Sequence, residues 1–472
     1  MGNIPERTMV QKLKMIYKPK SRGIAYVLLL QFTLLILALK LSSNAVHAQQ
    51  FTGRGGSITD KQSGYAVDSF PIVVSGLPAT INASFGISKI CINITHTKVS
   101  DLKVELLSPD GTSIWLTNRN GGDNGQGYFN TCFRANGLSG YVNLAEFPFT
   151  GEYIPEGRMT FLNNGQNPNG TWYLLIQDLR SEHVGSLNSL TIGFEENPTP
   201  GAGNEPCRLD NGAPCKCPDG NRDCELLPDM VAFATPTKSN FKEYPHNDPN
   251  YPGQLRFAVS IGNIGDGPLE IMGNNNWFCG DTPVKDLSTI CEDGTHARQH
   301  VLQRIYHKQG DSLVAKDLKA GSSYYEDLPG HNHYHIDNWV EFRLVSKKSN
   351  GKRRKLIAKG RKISFCLFDS GICNNADGIC DVGGQIYGDK NLINYGLGNY
   401  IHCNTHSQSQ GLSVGAYDTY GLFFEGQHLD LPKGLRAGTY HLEIEIDPEG
   451  MYREKDKSNN ILSIPIQLNK QS

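Results

Sequence analysis

The sequence predicts an all-β protein built as two successive β-sandwiches, and three observations carry that expectation. Beyond the N-terminal segment no run of useful length places apolar residues at helical spacing. Short segments instead alternate apolar and polar residues, as half-buried strands do. Turn formers are dense, with 51 Gly and 24 Pro in 472 residues, which suits many short connections. The length is enough for two or three domains, and a hydrophobic share of 38% is enough for packed cores.

The N-terminus reads as a leader. Lys12, Lys14, Lys18, Lys20 and Arg22 form a basic stretch. Ile24 to Leu39 is apolar except for Gln31 and Thr33, and Val46-His47-Ala48 offers small residues before a cut. This is a signal peptide over residues 1–48; the competing reading is an uncleaved anchor, for which the apolar run is short. No other stretch is long and apolar enough to cross a bilayer, so no membrane attachment is expected after leader removal. Twelve cysteines suit the oxidising compartment that export implies, periplasmic or extracellular. The formal net charge of −2 gives no field to draw the chain onto nucleic acid or an acidic membrane.

Residues 51–196 read as the first sandwich. Leu102, Val104 and Leu106 face one side of a strand, with Lys103 and Glu105 on the other. Pro109-Asp110-Gly111 is a turn, Trp172–Ile176 a buried strand, and Leu190, Ile192 and Phe194 alternate in another. Cys91 and Cys132, alone in this half, are candidates to pair. The segment from His96 through Ser108-Pro-Asp-Gly-Thr112, with Asn169-Gly-Thr-Trp-Tyr-Leu-Leu-Ile-Gln-Asp178 and Gly185–Leu190, resembles the P domain of proprotein convertases. That resemblance implies a role in folding, stability or attachment, and makes Asp101 and Asp178 candidates for calcium. No protease domain precedes it.

Residues 197–226 form a Pro/Gly-rich linker. Its Cys207, Cys215, Cys217 and Cys224 match no strong zinc spacing and are read as disulfide formers. From residue 227 strands return, at Leu255–Asn263, Pro268–Met272, Trp339–Leu344, Gly438–Asp447 and Ile461–Leu468. They outline a second, Ig-like sandwich over residues 227–468, with long irregular inserts. A linker of this composition suggests separable halves, the first dispensable for chemistry.

The strongest chemical signal is His331-Asn-His-Tyr-His335. Alternate residues of a strand share a face, and imidazole is the commonest transition-metal ligand. Neighbouring histidines would stand ~6.7 Å apart and the outer two ~13 Å in a straight strand. All three reach one ion only if the chain bends, and Leu328-Pro329-Gly330 is where a bend is expected. Imidazoles without thiolate suit copper(II), zinc or nickel, with copper(II) bound most tightly. Taken alone, Lys362 in Gly360–Cys366 reads as a surface lysine, and Tyr417 and Tyr420 as ordinary sandwich aromatics.

Together His331–His335, Gly360-Arg-Lys-Ile-Ser-Phe-Cys-Leu367 and Gln410-Gly-Leu-Ser-Val-Gly-Ala-Tyr-Asp-Thr-Tyr-Gly421 resemble, in this order, the catalytic domain of the lysyl oxidase family. Leu227-Pro-Asp229 is similar to its start, and Gly438-Thr-Tyr440 through Ser458-Asn-Asn460 to its closing strand and turn. The resemblance implies a copper-dependent amine oxidase acting on primary amines, peptidyl-lysine among them. It makes His331, His333 and His335 copper ligands. It makes Lys362 and Tyr420 the pair that crosslinks into lysyl tyrosylquinone, which with dioxygen yields aldehyde, ammonia and hydrogen peroxide. Lys362 must then be desolvated enough to react as the neutral amine. Asp418 is a candidate base by its nearness in sequence, although a turn role suits it too. The resemblance also implies a Cys366–Cys373 disulfide. The chain departs from animal members at Leu328–Gly330, where they carry a cysteine and a further histidine, and at Ala416, where they carry a cysteine.

Two other readings use the same residues. One is an exported metal-binding adhesion protein without quinone chemistry, which would have no need of Lys362 and Tyr420 together. The other is a metallohydrolase, for which Asp337 and Glu341 would be the carboxylate candidates.

Overall fold

Trp172 and Phe194 sit on facing strands of the first half and show how it closes. Their rings meet edge to face at 5.8 Å, joining a four-stranded sheet to a six-stranded one. In the computed structural model the described residues are 48–61, 66–122, 125–157, 159–199, 217–327, 332–346, 354–372 and 409–471. Short pieces at 207–208, 381–382, 385–386, 392–393, 403 and 406 are also described. The expected signal peptide lies outside them.

The smaller sheet of the first sandwich runs Asp68–Val74, Gly170–Asp178, Leu102–Leu107, Ser113–Asn118. The larger runs Gln49–Gly53, Gly185–Glu196, Phe85–His96, Gly127–Phe133, Phe149–Tyr153, with Gly56–Ile58 also on Gly185–Glu196. The predicted alternation holds: Leu102, Val104 and Leu106 are fully buried. Lys103 is buried too, over the Trp115 ring at 4.3 Å and paired with Glu105 at 3.4 Å. Cys91 and Cys132 form a disulfide between directly paired strand positions. Trp172 has no exposed surface, so Trp172→Ala is expected to cost this half about 3–5 kcal/mol. The urea midpoint of the unfolding phase that reports the first sandwich should fall accordingly; an unchanged midpoint would show that the inter-sheet ring contact is dispensable.

Among the described residues the second half is built on three sheets of three or more strands, the shortest running Phe241–Glu243, Gln254–Phe257, His428–Asp430. The largest follows the order Thr282–Val284, Leu269–Cys279, Arg298–Gln309, Ser312–Glu326, His333–Ser346, Gly438–Ile446, Ile461–Leu468. Leu356–Phe365 also pairs with the histidine strand His333–Ser346, and Gln410–Leu412 with Leu269–Cys279. A smaller sheet runs Met230–Ala232, Val259–Asn263, the tyrosine strand Ala416–Tyr420, and Gly371–Ile372. One apolar cluster, including Ile261, Ile336, Trp339, Phe342, Phe365, Leu412 and Tyr420, fills this half. Among the described residues helix is confined to Ala234–Ser239 and single 3-10 turns, and no described helix is long and apolar enough to cross a membrane.

Two expectations change. The strand read as Leu255–Asn263 is two strands, Gln254–Phe257 and Val259–Asn263, which enter different sheets. The chain steps between them at Ala258, whose N–H is taken by the Asn240 carbonyl at 2.8 Å. The implied Cys366–Cys373 disulfide is not formed; Cys366 pairs with Cys403. Past Cys366 the chain turns away to place Gly371 and Ile372 against Tyr417 and Ala416, while Cys403, fully buried, lies 5.8 Å from Cys366 between α-carbons. Of the linker cysteines, Cys217 and Cys224 bond to each other, while Cys215 lies outside the described residues; Cys279 closes a further loop with Cys291.

Candidate active site

His333 and His335 open the histidine strand on one face. Their Nε2 atoms stand 3.0 Å apart, with ring centroids at 4.8 Å, far closer than the ~6.7 Å spacing of their strand positions. The rings therefore turn toward each other. Nitrogens 3.0 Å apart are what two ligands ~2.0 Å from one divalent ion span at roughly a right angle. The pair suits two ligand positions of a transition ion; among the described residues no third His, Cys, Asp or Glu joins it. The chain kinks at Asn332, which adopts φ 56°, a left-handed conformation that Asn tolerates better than most residues. His331 and the expected bend at 328–330 lie outside the described residues. His335 is buried, and Tyr324 packs edge-on against its ring at 5.9 Å. Burial and then Glu326 push the Tyr324 phenol up to about 12, so Tyr324 supports the ring as a neutral phenol.

One residue along from His335, Ile336 pairs with Phe365 of the neighbouring strand. The Phe365 ring stacks on Tyr420 at 3.5 Å and 16°. The histidine strand and the buried tyrosine are thereby linked through one phenyl ring. Lys362 lies on the Phe365 strand, its backbone opposite Glu341; its side chain is outside the described residues. Gln410 ties the pieces together: its amide N–H donates to the Tyr334 carbonyl at 2.8 Å, and its carbonyl accepts from the Leu367 N–H at 3.1 Å.

The Tyr420 hydroxyl lies between the Cys366 carbonyl, at 2.8 Å, and the Asp418 carboxyl. Asp418 also accepts from the Thr419 N–H at 2.8 Å and the Phe368 N–H at 3.4 Å. One phenol proton cannot satisfy two acceptors. With Asp418 protonated, the carboxyl donates to Tyr420 and Tyr420 donates to Cys366; with Asp418 ionised, the phenol proton turns to the carboxylate. Burial lifts Asp418 to about 7, against hydrogen bonds from Tyr420, Phe368, Thr419 and Ser370 that pull it down. Burial, reinforced by Asp418, holds the Tyr420 phenol well above its usual range. Asp418 is therefore the carboxyl placed to share the Tyr420 proton, a role that sequence proximity hinted at but could not separate from a turn aspartate.

The same carboxyl marks the fold's pH response. A carboxyl raised in the folded state keeps a proton that the unfolded chain has released. Its contribution to stability is full below its unfolded value of 3.8 and is lost as pH rises to about 7. Glu454, lifted to about 7 chiefly by burial, acts in the same window. Asp418→Asn is expected to remove part of the fall in unfolding midpoint between those pH values and leave the part due to Glu454. A variant whose midpoint tracks the wild type across the whole window would show that the Asp418 carboxyl is not raised by the fold.

The remaining candidates separate clearly. Asp337 accepts from Arg298 at 2.7 Å and from the Ser322 and Ser364 hydroxyls at 3.1 Å each. Glu341 is held by Arg343 at 2.9 Å and Lys359 at 2.8 Å. Both carboxylates are thus engaged in ion pairs, which removes support for a hydrolytic base. Tyr417 packs against Phe233 at 5.9 Å and crosses Gly371, where a β-carbon would stand 2.3 Å from the ring. In the first sandwich Asp101 and Asp178 are buried, with His183 2.9 Å from the former and His96 3.1 Å from the latter. Calcium takes six to eight oxygens; carboxylates each facing an imidazole do not fit it.

Fold and site define a two-sandwich β protein in which a histidine pair stands one strand from a buried tyrosine–carboxyl couple. Comparison with known proteins falls on the same two halves. Residues 88–194 match the proprotein convertase P-domain family, and residues 389–472 match the lysyl oxidase family. The second match includes Asp418 and Tyr420; the histidine strand and Lys362 precede it. Human protein-lysine 6-oxidase is 32% identical over 137 residues, 29% of this chain and 26% of that protein. Human lysyl oxidase homolog 1 is 33% identical over 133 residues, 28% of this chain and 18% of that protein. Leupeptin-inactivating enzyme 1 of Streptomyces exfoliatus is 31% identical over 129 residues, 27% of this chain and 22% of that protein. The chain spans about a quarter of the length of the protein-lysine 6-oxidase it matches.

Proposed function

We propose that this chain is an exported copper-dependent amine oxidase that converts primary amines, peptidyl-lysine among them, to aldehydes with release of ammonia and hydrogen peroxide. The observation that carries the reading is the Tyr420 hydroxyl, buried between the Cys366 carbonyl and Asp418 and stacked on the strand that adjoins the histidines. A buried tyrosine held against a carboxyl of raised pKa is a sound structural arrangement, and it also places a proton acceptor directly on the phenol.

His331, His333 and His335 are the residues that would hold copper, and Lys362 and Tyr420 those that would form lysyl tyrosylquinone. Copper with dioxygen supplies the oxidising equivalents for the tyrosine ring, and the resulting quinone supplies the electrophile that no natural side chain provides. The chain's own residues do the rest. Asp418 takes the proton from the Tyr420 oxygen as a general base. Phe365 fixes the ring plane and, with the apolar cluster around it, excludes water. Lys362 must lose its proton to join the ring, which desolvation favours. The four described disulfides suit an oxidising compartment, in keeping with export.

A visible absorption spectrum of copper-loaded protein, with and without phenylhydrazine, tests the reading. An absorbing adduct stoichiometric with copper is the expected result. Bound copper without any adduct would favour the metal-binding adhesion protein, which needs the histidines alone.

A further inference from the structure

The end of the Ser113–Asn118 strand, in the first sandwich, reaches the second. Asn118 is 7% exposed. Its backbone N–H donates to the buried Glu156 carboxylate at 2.8 Å, which also takes the Asn120 amide at 2.5 Å. Its side-chain amide donates to the Ser370 carbonyl at 2.8 Å. Ser370 in turn donates to the Tyr417 carbonyl from its N–H at 3.0 Å and its hydroxyl at 3.1 Å. Two residues earlier, the Phe368 N–H donates to Asp418. Asn118 therefore holds one end of a three-residue segment, Phe368–Ser370, whose hydrogen bonds reach Asp418 and the Tyr417 carbonyl beside it.

Arg119 strengthens the contact. It adopts φ 59°, a conformation that non-glycine residues keep only where the surroundings enforce it, and its N–H is fixed on the Leu102 carbonyl at 2.8 Å. Burial and Arg180 lower its basicity, while Asp418, Asp101 and Tyr417 favour its charge. The first sandwich thus presents a cation toward the tyrosine strand.

We propose that the N-terminal sandwich is a positioning element of the amine-oxidase centre: Asn118 seats the Phe368–Gly371 segment, and through Phe368 and Ser370 that segment keeps the Asp418 carboxyl on the Tyr420 hydroxyl. The proposal rests on the functional reading above for what Tyr420 becomes, but its coupling to Asp418 does not. It runs against the expectation of a dispensable N-terminal half. Buried polar groups that lose a partner are costly, so parting the two sandwiches would leave the Ser370 carbonyl without this amide and loosen the segment. The groups that act on the Asp418 carboxyl are then Tyr420 and Thr419 on its own strand and Phe368 and Ser370 on the seated segment, with the Arg119 charge facing it from the first sandwich; the adjoining Tyr417 phenol faces Glu156, Arg119 and Asp418 in turn.

The test uses the full chain. In metal-free protein with 13C-labelled aspartate side chains, the Asp418 carboxyl is titrated by NMR, with Asp418→Asn for assignment. Asn118→Ala is expected to raise the Asp418 midpoint, because donors to its carboxylate are lost. After copper loading it should slow formation of the phenylhydrazine-reactive cofactor by about tenfold, as the loss of one buried hydrogen bond would. Arg119→Met should raise the midpoint as well, and Arg119→Lys should restore it. A folded Asn118→Ala protein with the wild-type midpoint and the wild-type rate of cofactor formation would overturn the proposal. If Asn118→Ala does not fold, the Arg119 pair decides: a midpoint that ignores the loss of charge overturns it. A wild-type protein that yields no adduct would sink the functional reading, while the metal-free titration still decides the coupling.

Discussion

Replacing His333 by alanine is expected to abolish copper retention and, with it, formation of the quinone. The two described imidazoles present Nε2 atoms 3.0 Å apart, so removing one takes away half of the facing pair. Even loss of an outer partner of a metal ligand costs 10- to 100-fold in affinity; loss of the ligand itself should cost more than about a hundredfold. His333 is only half-buried, so the fold should survive the truncation. Copper content after dialysis against a weak chelator, together with the thermal unfolding midpoint, separates the two effects. A folded His333→Ala protein that keeps one copper per chain would end the proposal that His331, His333 and His335 form one site.

Tyr420→Phe should be as damaging to chemistry and far milder to everything else. The phenylalanine keeps the stack on Phe365, and Asp418, raised to about 7, can stay protonated without the phenol. Copper should still bind, yet amine turnover and the phenylhydrazine adduct should both vanish. In the wild type, tryptic peptides carrying Lys362 and Tyr420 should be joined in the mass spectrum. Only unlinked peptides beside full amine oxidase activity would rule out the crosslinked quinone. Tyr417→Phe is the control, since that ring packs against Phe233 and has no part in the crosslink.

Much of the fold was legible because alternation reports which face is wet. Leu102, Val104 and Leu106 are buried as their spacing requires, and Leu442, Ile444 and Ile446 repeat the pattern in the second half. The long hairpin of Arg298–Gln309 and Ser312–Glu326 was missed for the complementary reason. Its second strand is largely exposed or half-buried and its ladder carries pairs such as Arg304 with Asp317 at 2.8 Å, so it shows no apolar rhythm. The split of Leu255–Asn263 was hidden because apolar residues continue through Ala258, where only the tertiary bond to Asn240 marks the step.

At the site, residue type and spacing pointed to the histidines, and the resemblance to the lysyl oxidase family pointed to the tyrosine. They could not show whether Asp418 serves the tyrosine or only a turn, and they left Asp337 and Glu341 as the carboxylates of the metallohydrolase reading. Ion pairs occupy Asp337 and Glu341, and burial singles out Asp418. The Asn118–Ser370 bond joins positions 252 residues apart, and a linker rich in Gly and Pro argued against any such bond. The Cys366–Cys403 pairing was out of reach in the same way, since a nearer cysteine at 373 is the natural guess until the backbone path is known.

The ladder around the histidine strand also bears on when the centre can come into being. His333 pairs backward with Glu326, while Val340 pairs forward with Ile446 and Ile336 with Phe365. Contacts of such long sequence separation close late, after the entropy of the intervening loops has been overcome. A chain emerging from its N-terminus therefore exposes imidazoles well before it can offer them a folded tyrosine. An ion captured at that stage would meet ligands with nothing beside them to oxidise. For the proposed centre, assembly order thus favours delivery of the metal after these ladders have closed, which would make any processing of the tyrosine a late event.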